Sequence, residues 1–142
     1  MRRTGFASGT VAAFGLMTLL VVAGAARAHH SFAGYEQDKQ IRLQGVVTHY
    51  QWTNPHVYIG LDTVDAESGE VRHWLIECAN PGILNRVGWK WNMIHEGDEV
   101  TAIVAPLQNG DPGALLKGIR LADGSEYSNG GPAGPAKIPF DE

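Results

Sequence analysis

Cysteine is nearly missing from this 142-residue chain, where Cys78 stands alone. One thiol cannot close an internal disulfide, so a fold stapled by bridges is excluded, and Cys78 is either buried or paired with another chain. Positive charge is also scarce. Lys and Arg number 11 against 15 Asp and Glu, and three of the basic residues, Arg2, Arg3 and Arg27, fall within the first 28 positions. Phosphate-backbone affinity comes mainly from Lys and Arg displacing counterions, so this balance argues against a nucleic-acid partner. The patterns that announce an enzyme are lacking too. There is no paired-carboxylate arrangement, no glycine-rich phosphate loop and no serine in a nucleophile elbow, and the case for catalysis is weak.

One long apolar run exists, Val11 to Ala26. It follows Arg2-Arg3 and ends in Ala26-Arg27-Ala28, the small residues that signal peptidase recognises. It is shorter than the roughly 20 residues a membrane span needs, and Gly15 and Gly24 dilute it. The expectation is a signal peptide over residues 1–28, a periplasmic or secreted product and no retained membrane span. Removing 28 of the 142 residues leaves a chain of one small domain with eight basic residues against 15 acidic ones, a net charge of −7. It also makes His29 the new N-terminus, with His30 directly behind it.

The remaining chain opens with a polar lead, residues 29–40. Alternating apolar residues then mark strands at Ile41 to Tyr50, His56 to Thr63 and Val71 to Cys78. Gly45 interrupts the first, which predicts a bulge or sharp bend. Asp65 to Glu70 has the polar residues and glycine of a hairpin loop. Asn80-Pro81 caps a short helix that Gly88 stops, and Trp89 to His95 is a candidate second turn. Glu96-Gly97-Asp98 turns into a fourth strand, Glu99 to Ala105, apolar on both faces. A fifth, Ala114 to Leu121, follows. Residues 128–142, rich in glycine and proline, are expected to lack order. This order defines an all-β domain over 41–127 with one short helix: a small OB-fold-like Greek-key barrel of five strands, the helix between strands three and four. An open five-stranded sandwich is the alternative.

Strand parity sorts the candidate site residues. A turn centred between Glu67 and Ser68 sets Tyr58 opposite Glu77 and Asp62 opposite His73, both pairs outward. His56, Tyr58, His73 and Glu77 then form one candidate ligand-binding surface, although a surface histidine paired with a carboxylate also explains His73. Cys78 shares its face with Trp74 and Ile76, which marks a buried, inert thiol. Trp52-Thr53-Asn54-Pro55-His56 reads as a turn that sets the entry to strand two. It leaves His56 without a propensity reason.

The HHSF start (His29 to Phe32), WTNPH (Trp52 to His56), W-x-x-E (Trp74 to Glu77), Gly88-Trp89 and LADG (Leu121 to Gly124) together resemble a family of small exported bacterial proteins known as a domain of unknown function. The resemblance covers nearly the whole chain after the signal. It implies an exported, β-rich single domain and lends no activity; glycine or serine is the residue the resemblance leads one to expect where this chain has Cys78.

Two functional readings follow from the residues. The first is a non-enzymatic binding protein that meets a small molecule or a partner protein of the cell envelope on the outward face of strands two and three. The second is copper or zinc binding, with the His29 amine and imidazole, His30 and His56 as ligands, since imidazole suits both ions. A structural or assembly role is a third. Metal-assisted catalysis with Glu77 as base finds little support.

Overall fold

The computed structural model describes residues 32–130 and Phe140. The expected signal peptide and both N-terminal histidines, His29 and His30, lie outside the described residues. Six strands and a helix follow in order: β1 (Ile41–Gln51), β2 (Tyr58–Val64), β3 (Val71–Glu77), α1 (Pro81–Arg86), β4 (Glu99–Pro106), β5 (Gly113–Arg120) and β6 (Glu126–Ser128). Period-2 alternation decides the faces. Leu43 and Val47 of β1, Ile59 and Leu61 of β2, and Trp74 and Ile76 of β3 are buried, and they meet Val100, Ala102, Leu116 and Ile119 in one core. Each large side chain so buried contributes about 1.5–3 kcal/mol.

The β2–β3 hairpin has the expected register, Tyr58 opposite Glu77 and Asp62 opposite His73. Strand order is β3-β2-β1-β4-β5-β6, and β3 also pairs with β5. That last pairing is parallel, Leu75 to Glu77 against Gly113 to Leu115. It closes the first five strands into a barrel with OB-fold connectivity and rules out the open sandwich. β1 serves both halves, its later residues pairing with β2 and its earlier ones with β4.

Several local expectations shift. The irregular register of β1 lies between Val47 and His49, not at Gly45. Gly45 has a different reason: a Cβ there would overlap the carbonyl oxygen of Asp62, so the glycine permits close backbone approach where β1 changes partners. β2 begins at Tyr58, leaving His56 just before it, and β3 ends at Glu77, before Cys78. The candidate second turn is a turn and bend at residues 91–93 within Trp89 to His95. Trp89 is fully buried and donates from Nε1 to the Ser128 carbonyl at 2.9 Å. That anchor belongs to β6, a short strand along β5 that hydrophobic patterning does not reveal. Most of the segment 128–142 lies outside the described residues, but Ser128 ends β6 and Phe140 is 2% exposed.

The helix forms as its start signal requires. Asn80 accepts from the Ile83 amide at 2.9 Å, Pro81 occupies the first helical position, and Leu84 is the buried residue. Among the described residues no helix is long and apolar enough to cross a membrane.

Candidate functional site

The WTNPH turn delivers its histidine to one corner of the barrel. Backbone pairing continues past the ends of β2 and β3: the Val57 amide donates to Ala79 O at 3.2 Å, and the Cys78 amide to Val57 O at 2.8 Å. His56 is thereby held beside the last residues of the hairpin. Its Nδ1 lies 3.1 Å from the Cys78 carbonyl and 3.2 Å from Glu77 Oε1. Tyr58 faces Glu77 across the ladder.

A fourth group arrives from the polar lead. Tyr35 bridges to Leu107, the Glu36 amide donates to Pro106 O at 2.9 Å, and the Gln108 amide donates to Gly34 O at 2.9 Å. So docked beyond the end of β4, the lead directs the Tyr35 hydroxyl to Glu77 Oε2, to which it donates at 2.8 Å. Glu77 thus has a partner on each oxygen. Its side chain is 15% exposed and that of His56 24%.

The partners dictate the protons. Both groups next to His56 Nδ1, a carbonyl and a carboxylate, are acceptors, so Nδ1 carries the hydrogen; in the neutral ring the lone pair then resides on Nε2. Burial first, then the hydrogen bond to Glu77, pushes the Tyr35 phenol well above the ordinary tyrosine range, so it remains a donor at any physiological pH. Burial and the Glu77 charge raise Tyr58 in the same direction. Neither His56 Nε2 nor the Tyr58 hydroxyl has a hydrogen-bond partner among the described residues.

Of the four outward residues expected to act together, His56, Tyr58 and Glu77 converge. His73 does not. It contacts Asp62 Oδ1 at 2.6 Å with its side chain 78% exposed, four residues along β3 from Glu77 and so roughly 13 Å away at strand rise. It is the surface histidine of a cross-strand pair. Cys78 is fully buried and burial pushes its thiol up, in accord with an inert core residue. Tyr35 escaped sequence reasoning; the one signal was an aromatic ring among the largely polar residues that follow Phe32 in the lead. Among the described residues no group of three His, Cys, Asp or Glu side chains gathers where a metal ion would sit, and His56 is the one imidazole at this corner.

Closed barrel, strand order and the parallel β3–β5 pairing define the class: a small OB-type β-barrel with one short helix, carrying a polar corner of His56, Glu77, Tyr35 and Tyr58. The chain belongs to DUF6152, a family of unknown function, whose profile matches residues 16–116. No curated protein matches it. Among solved structures, it is similar to a mitochondrial single-stranded DNA-binding protein of S. cerevisiae, at 12% identity and a TM-score of 0.46, over 59% of this chain and 93% of that one.

Proposed function

We propose that this chain is an exported, non-enzymatic binding module that takes a small ligand of the cell envelope on the outward side of β2 and β3, at His56, Tyr58 and Glu77. One observation carries the reading. Glu77 is satisfied on both oxygens by Tyr35 and His56, so it acts as a brace, and the brace orients His56 with Nε2 left as an acceptor, while Tyr58 lies opposite Glu77 in the β2–β3 ladder. A ligand with a donor for Nε2 and an acceptor for the phenol fits that pair. Export rests on Arg2-Arg3, the apolar run and the Ala26-Arg27-Ala28 site. The acidic balance speaks against nucleic acid.

The test is a nuclear magnetic resonance screen of the protein beginning at His29, with a set of small amides, amidines and phenols as probes. Hits should move the His56 and Tyr58 signals, and His56→Ala or Tyr58→Phe should weaken them about tenfold or more. His73→Ala should leave them unchanged. Hits indifferent to both corner variants, or lost only with His73→Ala, would refute the assignment.

A second reading is copper or zinc binding by His56 together with His29 and His30. A specific observation favours it: metal-ligating histidines characteristically give their other ring N–H to a carbonyl or carboxylate, as His56 Nδ1 does to Cys78 and Glu77. Calorimetry with CuCl2 and ZnCl2 checks it on three proteins: one beginning at His29, one carrying an extra N-terminal alanine, and His56→Ala. Weaker binding in both altered proteins is expected. Equal affinity across the three would sink the reading.

A further inference from the structure

β4 is buried on both sides. Val100, Ala102 and Val104 belong to the barrel core, whereas Ile103 and Ala105, which alternate to the outside, are 3% and 0% exposed and lie outside that core cluster. The docked lead covers the far end of the strand, at Pro106 and Leu107. Ile103 lies three positions before Pro106 on the same strand.

Register brings two arginines to its flanks. Arg42 of β1 lies opposite Ile103, and Arg120 of β5 lies opposite Thr101. Both alternate with core residues, Leu43 and Ile119, and so project to the outside. Between them sits Phe140, 2% exposed although it is almost the last residue of the chain. Arg42 Nη1 donates to the Phe140 carbonyl at 2.6 Å, and the Arg120 guanidinium stands 4.8 Å from the centre of its ring. Glu126 steadies Arg120 through Nε at 2.8 Å and Nη2 at 2.7 Å. The arrangement is a cradle on two strands that flank β4: a cation over the aromatic ring and a second cation on the backbone. Asp141 and Glu142 follow Phe140 in the sequence.

We propose that the Arg42–Arg120 cradle is a peptide-docking site for an aromatic residue followed by carboxylates, and that the C-terminal segment of a second copy of this chain docks there in exchange for the resident one. Two features support exchange. The sequence between Gly130 and Phe140, Gly-Pro-Ala-Gly-Pro-Ala-Lys-Ile-Pro, spans up to roughly 30 Å when extended, enough to reach a neighbouring molecule. Swapping an identical element requires no new contact chemistry, because the trans segment repeats what the cis segment does. At low concentration the tethered segment wins by effective concentration, and exchange grows as chain concentration rises.

The experiment uses the full chain after the signal, with Phe140→Ala vacating the cradle, and a fluorescent peptide of residues 134–142 as probe. The peptide should bind Phe140→Ala at least tenfold more tightly than wild type, lose binding when its own phenylalanine is replaced by alanine, and bind about tenfold more weakly once Arg42→Ala is added to the protein. Absence of binding, or binding indifferent to the peptide ring or to Arg42, would overturn the docking site. Sedimentation of the wild-type chain provides a reading that does not depend on Phe140→Ala folding. A dimer that grows with concentration and disappears in Arg42→Ala supports exchange, and a monomer at every concentration, or a dimer unchanged in Arg42→Ala, refutes it.

Discussion

Tyr35→Phe is the most informative single perturbation, because it removes one oxygen and keeps the ring that fills the space. The lost contact is a hydrogen bond of 2.8 Å to Glu77 Oε2. Hydrogen bonds to charged acceptors contribute about 1.5–3 kcal/mol net, and a Glu77 side chain that is 15% exposed recovers part of that from water. A loss of about 1–2 kcal/mol is therefore expected, which in a domain of this size lowers Tm by about 4–8 °C for each kcal/mol. Urea denaturation with Glu77→Gln and the double variant completes a thermodynamic cycle. The coupling between the two positions should exceed about 1 kcal/mol; a value within about 0.5 kcal/mol of zero would mean that the contact is solvated and that Glu77 is not a brace. Hydrogen exchange adds a local reading. The Glu36 and Gln108 amides, bonded to Pro106 O and Gly34 O, should lose protection together in Tyr35→Phe, while β4 amides in the core do not. Unchanged protection at Glu36 and Gln108 would show that the lead docks without Tyr35.

Two further outcomes follow from burial and local hydrogen bonding. Cys78 is fully buried with its thiol pushed up by that burial, so a thiol reagent at neutral pH should label it only at the rate of unfolding, and stoichiometric labelling of the native protein within minutes would contradict the buried position. Asp65 accepts from the Ser68 amide, the Ser68 hydroxyl and the Glu67 amide at 2.7, 3.0 and 3.0 Å, which hold its carboxyl below the ordinary carboxylate value. A lowered folded pKa means that the stabilisation is present above the unfolded value and lost as pH falls through the folded one; Asp65→Asn should therefore flatten the acid limb of a stability profile, and an unaltered slope would count against the turn.

Much of the fold is local chemistry, and local chemistry is legible in sequence. Alternation in Val57, Ile59 and Leu61 marks the face of β2, and the hairpin loop then allows only one register, which is why Tyr58 and Asp62 meet the partners expected of them. Asn80-Pro81 announces the helix because capping acts within one turn. β6 was not legible: three residues, Glu126 to Ser128, are too few to carry a period. The candidate site was legible in part. His56, Tyr58 and Glu77 share the outward parity of one hairpin, and parity placed His73 with them; parity reports the face and not the distance along it, so it could not separate His73 from the corner.

By itself, then, the chain's sequence determined the strands, the hairpin register, the helix start and the inward turn of Cys78, since each depends on residues a few positions apart. Tertiary structure alone decided that Tyr35 meets Glu77 across 42 positions and that Phe140 meets Arg42 across 98. Those contacts arise on the outside of the closed barrel, where the lead meets Pro106 and Leu107 and Phe140 meets Arg42 and Arg120. No periodicity encodes them, because a single tyrosine or phenylalanine finds its place only after β1, β4 and β5 have assembled the surface it covers.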